Sequence, residues 1–512
     1  MTVARRHPGR KRARSGFTAT ALLDSKLHGF RPTGPATASR QHSFDDGSSC
    51  VIITSLGHSS FLVETDGATL AFDPWLTPRL DRFWRRNLVS ERPASLPHID
   101  VLVISHHHCD HLHVDSLAAI NRDAIVIHPD AEKLPVHSGA GMGYKAIPWI
   151  LRELGFERLV AVKPLQEVGF RDLTITALPS KVMFPEFLYL LEAQGTRAIF
   201  GGDAILHPKT EAFFRDRRPS IDVAFIPSHS TSPAAPLLER KQAADYGLFE
   251  RRCRDAFDTY TDLFGAELTV PSSFGWRVDG IDAADRFAWV NRKIFPFTPL
   301  QAHEALQERG NRSHLPGPGD RFVLSAGRPV EIQPAGHHRP DEVAESYADL
   351  ELDPDAAIPQ FRPGSYGEAA FEGDPDDLVR AVLARLVGTY YWSRHCASPR
   401  PVTLRLSDGN GLDVDYALDI AGGSFSARPA KGPPAGGYSW LHPSTLKGLF
   451  DAEILFPNAF GLWVSNDNLL TEIFHHPSFF VTHLRRRHAA VPPSMSRDEP
   501  DSALPAKREM SA

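Results

Sequence analysis

Four side chains able to hold a metal fall within six positions of this chain. They are His106, His108, Asp110 and His111, in the run Ser-His-His-His-Cys-Asp-His from Ser105 to His111. Imidazole and carboxylate together suit zinc, iron or manganese. A turn can aim His106 and His108 at one cation, and Asp110 with His111 at a second one nearby. The chemistry open to such a site is activation of a water, or redox work if the metal is iron.

Such a turn needs a rigid support. The apolar run Ile99-Asp100-Val101-Leu102-Val103-Ile104 has the length and β-branched content of a buried strand, so the metal-capable residues are expected at a strand end. Val114 to Ile120 then reads as a short amphipathic helix. Phe61–Glu64 and Thr69–Phe72 read as a hairpin around Asp66-Gly67, a strong turn dipeptide. Arg197 to Phe200 reads as a strand ending near Asp203, paired across Gly195 with Phe187–Leu191. Asp222 to Pro227 delivers Ser228-His229, and Glu267 to Pro271 runs into Ser272-Ser273. A long helix is expected over residues 243–264.

His106-x-His108-x-Asp110-His111 resembles the metal-binding motif of the metallo-β-lactamase fold. Leu56-Gly57-His58-Ser59-Ser60-Phe61-Leu62-Val63-Glu64 and Leu70-Ala71-Phe72-Asp73-Pro74-Trp75 resemble the opening strands of its large hydrolase branch, and Phe200-Gly201-Gly202-Asp203 the strand end that supplies a bridging carboxylate. The likeness covers residues 51–330. It implies an α/β fold, an αββα sandwich, followed here by a smaller α+β domain. It also implies a metal set of His106, His108, Asp110, His111 and Asp203, with one or two zinc ions as the expected cofactor and iron or manganese as alternatives.

Two positions depart from that pattern. Ala177-Leu178-Pro179-Ser180-Lys181 carries serine and lysine where a third histidine often stands. Ser272 and Ser273 follow the last strand where a final histidine often stands. Serine must be deprotonated to bind a metal well. Glu186 and His229 are the candidate substitutes. His58 is open to two readings, a substrate contact or a structural hydrogen bond. Asp73 reads either as a carboxylate orienting a metal-bound histidine or as a strand-end turn residue. His128 and His207 read as structural.

The implied activity is metal-dependent hydrolysis of an ester, lactone, amide or phosphodiester. Asp110 would orient the nucleophile, and His229 or Lys181 would hold the developing anion. A second resemblance, in layout, is to the metal-fold part of CMP-N-acetylneuraminate hydroxylase. This sequence lacks the Cys-x-His with Cys-x-x-His pair of a Rieske centre, so an oxygenase reading would require a separate electron-transfer partner. A third reading is a degenerate binding scaffold. The C-terminal domain also resembles a sterol-carrier-like module in layout.

At 512 residues the chain exceeds one ordinary core, which predicts two domains plus tails. The boundaries read as a disordered basic leader over 1–47, a metal-fold domain over 48–335, a Pro-rich acidic linker over 336–373, an α+β domain over 374–490 and a disordered tail over 491–512. The arginines near the start lack a following hydrophobic segment, so they are not expected to form an export signal. A net charge of -6 gives no reason to expect nucleic acid. Four cysteines without paired spacing fit a reducing, cytoplasmic setting. No apolar run reaches membrane-spanning length. The expected partner is a small-molecule substrate, and nothing in the sequence fixes an oligomeric state.

Overall fold

The computed structural model describes residues 49–465 with breaks, the longest at 229–243, 279–290, 354–367 and 388–401. The leader over 1–47, the tail over 491–512 and His229 lie outside the described residues. The first sixteen strands are, in chain order, Val51–Gly57 (β1), Ser60–Glu64 (β2), Thr69–Phe72 (β3), Trp84–Arg86 (β4), Val101–Val103 (β5) and Ile125–Pro129 (β6). Leu159–Val162 (β7), Glu167–Phe170 (β8), Leu173–Pro179 (β9), Phe187–Ala193 (β10) and Thr196–Phe200 (β11) follow. Val223–Pro227 (β12), Leu268–Ser272 (β13), Trp276–Val278 (β14), Arg321–Leu324 (β15) and Glu331–Gln333 (β16) complete this part.

Strands β16-β15-β1-β2-β3-β5-β6-β7 make one sheet, and β13-β12-β11-β10-β9-β8 a second. The period-2 alternation of side chains decides what each face buries. In β5, Val101 and Val103 enter the core between the sheets, while Leu102 and then Ile104 face the other way. In β12, Val223 and Phe225 face inward, and Ala224 and Ile226 outward. Helices cover both outer faces. Val114–Leu117 and Gly141–Glu153 pack with Leu102 and Val126 on the first sheet. Pro208–Arg217, Ala244–Phe264 and Pro299–Glu308 pack with Ile199 and Ala224 on the second. The result is an αββα sandwich with all three layers of core satisfied by strands that are apolar on both sides.

The inter-sheet core also fixes the distance between strand ends. Phe72, the last residue of β3, stacks on Phe200, the last of β11, with ring centroids 4.0 Å apart and planes 13° from parallel. Phe61 and Phe225 join them. Each buried phenylalanine contributes about 1.5–3 kcal/mol. The clamp therefore holds Asp73 and the Gly201-Gly202-Asp203 turn at one edge of the sandwich. Gly201 is needed there, because a Cβ would lie 2.7 Å from both the Phe225 carbonyl oxygen and the Pro227 ring.

A second core is built by the helices Pro375–Val387 and Pro443–Phe450 on a sheet of Val402–Ser407 (β17), Asp413–Asp419 (β18), Ser424–Pro429 (β19), Tyr438–Leu441 (β20) and Trp463–Ser465 (β21), in the order β19-β18-β17-β20-β21. The sequence predicts an antiparallel sheet here. The antiparallel pairs form, but β20 runs parallel to β17, a long-range pairing that no local turn signal marks. The segment expected as linker contains the helix Pro340–Ala348. Pro340 pre-sets its first turn, and Val343 and Tyr347 are buried. Between β3 and β5 the short strand β4 pairs antiparallel with β14. No helix among the described residues is long and apolar enough to cross a membrane.

Candidate metal centre

Strand ends from both sheets converge on one edge. β5 leads into Ser105–His111, β3 into Asp73, β11 into Asp203, and the turn between β1 and β2 carries His58. Parallel pairing of β3 with β5 aligns Phe72 with Val103, so the two loops leave the sheet side by side. Among the described residues, two sets of donor atoms lie mutually within 4.8 Å: His106, His108 and Asp203, and His58, His111 and Asp203. Asp203 belongs to both, which is the placement of a bridging carboxylate. Asp110 flanks the second set, its Oδ2 3.1 Å from His58 Nε2 and 3.8 Å from His111 Nε2.

The imidazoles are oriented from behind. Asp73 Oδ2 lies 2.8 Å from His111 Nδ1, which turns Nε2 towards Asp203 Oδ2 at 3.3 Å. Asp73 is itself pinned: it accepts from the Ser105 N–H at 2.7 Å and from Ser105 Oγ at 2.5 Å. Ser105 Oγ also lies 2.9 Å from His106 Nδ1, turning His106 Nε2 towards His108, whose Nδ1 is 2.8 Å away. This is the carboxylate–histidine relay that fixes the tautomer of a ligating imidazole. Of the two roles open to Asp73, the geometry favours orientation of His111. His58, Asp73 and Ser273 all adopt left-handed backbone, with φ of 53°, 39° and 57°. Strained residues gathered at one site are a mark of function.

The electrostatics call for a cation. Burial lowers the pKa of His106, and His111 and His108 beside it push the same way. Burial would depress His111 too, but the carboxylates of Asp203, Asp110 and Asp73 prevail and raise it well above the ordinary value. Burial opposes ionisation of Asp110, yet His111 and the hydrogen bond from His58 hold it below the usual carboxylate range. Several carboxylates thus share one buried edge, and a proton on His111 or a metal ion supplies the balancing charge. The residues present fit a metal.

Glu186 stands at the start of β10, beside the Pro179-Ser180 end of β9. It is buried, its Oε1 has no hydrogen-bond partner among the described residues, and burial together with Asp203 pushes its carboxyl up to about 8. It lies against the centre but outside the two mutual donor sets. The other expected residues are less involved. Lys181 is exposed, with its backbone N–H donated to Ile205. Ser180 Oγ accepts from the Ile205 N–H. His207 caps the helix Pro208–Arg217, and His128 bonds the Pro129 carbonyl, so both are structural. Sequence reasoning left His58 without a place in the cluster. Its position in the tight turn between two apolar strands was the available signal.

Residues 52–246 match the family model described as Beta-lactamase superfamily domain. An uncharacterized protein of Mycobacterium tuberculosis is 24% identical over 220 residues, 40% of this chain and 56% of that protein. The chain therefore spans little more than half of that relative's length. A UPF0173 metal-dependent hydrolase of Anoxybacillus flavithermus is 26% identical over 187 residues, 34% of this chain and 72% of the relative. A second Mycobacterium tuberculosis protein, provisionally described as a Rieske 2Fe-2S iron-sulfur protein, is 37% identical over 82 residues, 15% of this chain and 16% of its own. The αββα layers, the His-x-His-x-Asp-His turn at the end of β5 and the matched segment agree: residues 52–246 match a beta-lactamase superfamily domain and adopt the metallo-β-lactamase fold.

Proposed function

We propose that the protein is a metal-dependent hydrolase with a two-position centre bridged by Asp203. The observation that carries this reading is the pair of donor sets sharing that one carboxylate. His106 and His108 would hold one ion and His111 the other, with Asp110 beside it. Zinc is the expected metal. Such ions supply a Lewis acid and make water acidic enough to attack at neutral pH.

The chain's own residues do the rest. Asp73 keeps a proton on His111 Nδ1, so that Nε2 presents its lone pair. Asp110, held ionised, offers Oδ2 as an acceptor that orients the attacking water. Lys181, near Ile205, and His229, which lies outside the described residues, are the candidates to receive the developing anion. The substrate class is an ester, lactone, amide or phosphodiester of a small molecule. The relative named as a metal-dependent hydrolase supports the reading.

Metal content of the full chain purified without added metal tests it, together with a screen of ester, lactone, amide and phosphodiester substrates. Zinc-dependent turnover that disappears in His108→Ala is expected. Turnover unaffected by that substitution refutes it.

Glu186 favours a second reading. It sets an additional buried carboxylate near Asp203, and a centre with more carboxylate oxygen would suit non-haem iron. The centre would then serve a hydroxylase fed by an electron-transfer partner. Tightly bound iron, with an absorbance band that bleaches on reduction, would decide for it.

A further inference from the structure

The family pattern brings a final histidine to the second cation position from the end of the last strand. Here that end is occupied otherwise. Ser273 is fully buried, and its hydroxyl donates to the Gly202 carbonyl beside Asp203. Its Oγ also lies 3.0 Å from Ser59 Oγ. The end of β13 is thus committed to holding two loops together and offers no nitrogen donor among the described residues. The loop it grips is the β1–β2 turn, and the residue next to Ser59 is His58.

We propose that His58 Nε2 is a direct metal ligand, completing the second position in place of a side chain from the last strand. The proposal rests on the metal-centre reading above. Zinc–nitrogen and zinc–oxygen bonds of about 2.0–2.1 Å in tetrahedral geometry put neighbouring ligand atoms about 3.3 Å apart. The contacts around His58 have that size: 3.3 Å to His111 Nε2 and 3.1 Å to Asp110 Oδ2, while His111 Nε2 lies 3.3 Å from Asp203 Oδ2. The His58 side chain is fully buried, so the ring does not serve as a solvent-facing substrate contact. It packs edge-on against Trp75 and is carried on left-handed backbone, a conformation uncommon for residues other than glycine. A structural hydrogen bond to Asp110 alone would leave His58 Nε2 facing His111 Nε2 with no purpose. A shared ion explains both contacts.

Zinc titration by calorimetry, with elemental analysis of dialysed full-length protein, tests this on wild type and His58→Asn. Asparagine tolerates left-handed backbone, so the variant keeps the turn. An ion held by wild type should be lost or weakened about 100-fold or more, since removing even an outer partner of a ligand costs 10–100-fold. The ion at His106 and His108 should stay. Wild-type affinities retained within about threefold would overturn the ligand role and leave the metal centre intact. A wild-type chain that binds no zinc would overturn the centre itself. A readout on wild type alone covers failure of the variant to fold. Cobalt-loaded protein should show four shifted, exchangeable imidazole N–H resonances in NMR, from His58, His106, His108 and His111. Three would overturn the proposal.

Discussion

Replacing Asp73 probes how the centre is held, because this carboxylate touches no ion in the proposed arrangement and yet governs two ligands. It accepts three hydrogen bonds: from Ser105 N–H at 2.7 Å, from Ser105 Oγ at 2.5 Å and from His111 Nδ1 at 2.8 Å. In Asp73→Ala all three buried donors lose their acceptor. Each orphaned donor costs about 1–3 kcal/mol, so the metal-free protein should lose about 3–9 kcal/mol of stability. Asp73→Asn separates the two roles. The amide oxygen can still accept from the Ser105 N–H, but an N–H₂ in place of Oδ2 faces both Ser105 Oγ, which must turn to accept, and His111, where it forces the opposite tautomer, with the proton on Nε2 and no lone pair for a cation. Stability should fall by about 1–2 kcal/mol only, while affinity at the second position falls about 10–100-fold. Urea denaturation of chelator-treated protein measures the first quantity, and competition against a chromogenic chelator the second. Wild-type zinc affinity in Asp73→Asn would refute the orienting role and with it the reading of His111.

Two further predictions follow from the same structure. A chelator should lower the melting temperature: an ion present at 100 times its Kd stabilises by about 2.7 kcal/mol, equivalent to about 4–5 °C for a domain of this size; an unchanged melt would mean that no ion is bound in the folded state. Acid should act partly through Asp320. Burial disfavours its charge, but His314 at 2.8 Å and the backbone N–H groups of Gly317 and Ala335 at 2.8 and 2.9 Å outweigh that and lower its pKa. Its stabilisation is therefore complete above the unfolded value of about 3.9 and is lost as pH falls through the lower folded value. Urea midpoints between pH 6 and acid should be flatter for Asp320→Asn than for wild type, and parallel curves would exclude the effect.

The metal turn was legible because all its information is local: four ligand types behind a buried strand. The sandwich was legible for a similar reason, since β1, β5 and β12 carry apolar residues on both faces and hairpin β2–β3 has its turn dipeptide at Asp66-Gly67. What the sequence hid depends on which strand ends meet. His58 and His111 are 53 positions apart, and Ser59 and Ser273 are 214 apart. Sheet order sets those encounters, and no local periodicity encodes it. Asp73 has two local readings for the same reason. Its partner lies on a parallel strand reached by a crossover. The parallel β17–β20 pair went unread on the same grounds, while the helix Pro340–Ala348 was masked by the acidic, Pro-rich composition of its surroundings.

Asp203 joins the two donor sets, so its removal bears most directly on the central claim. Metal content of wild type and Asp203→Ala, each purified without added metal and dialysed against zinc, is the measurement. Two ions per wild-type chain and none held tightly by the variant are predicted. Equal metal content in the two proteins, or none in wild type, would contradict a centre built on that carboxylate.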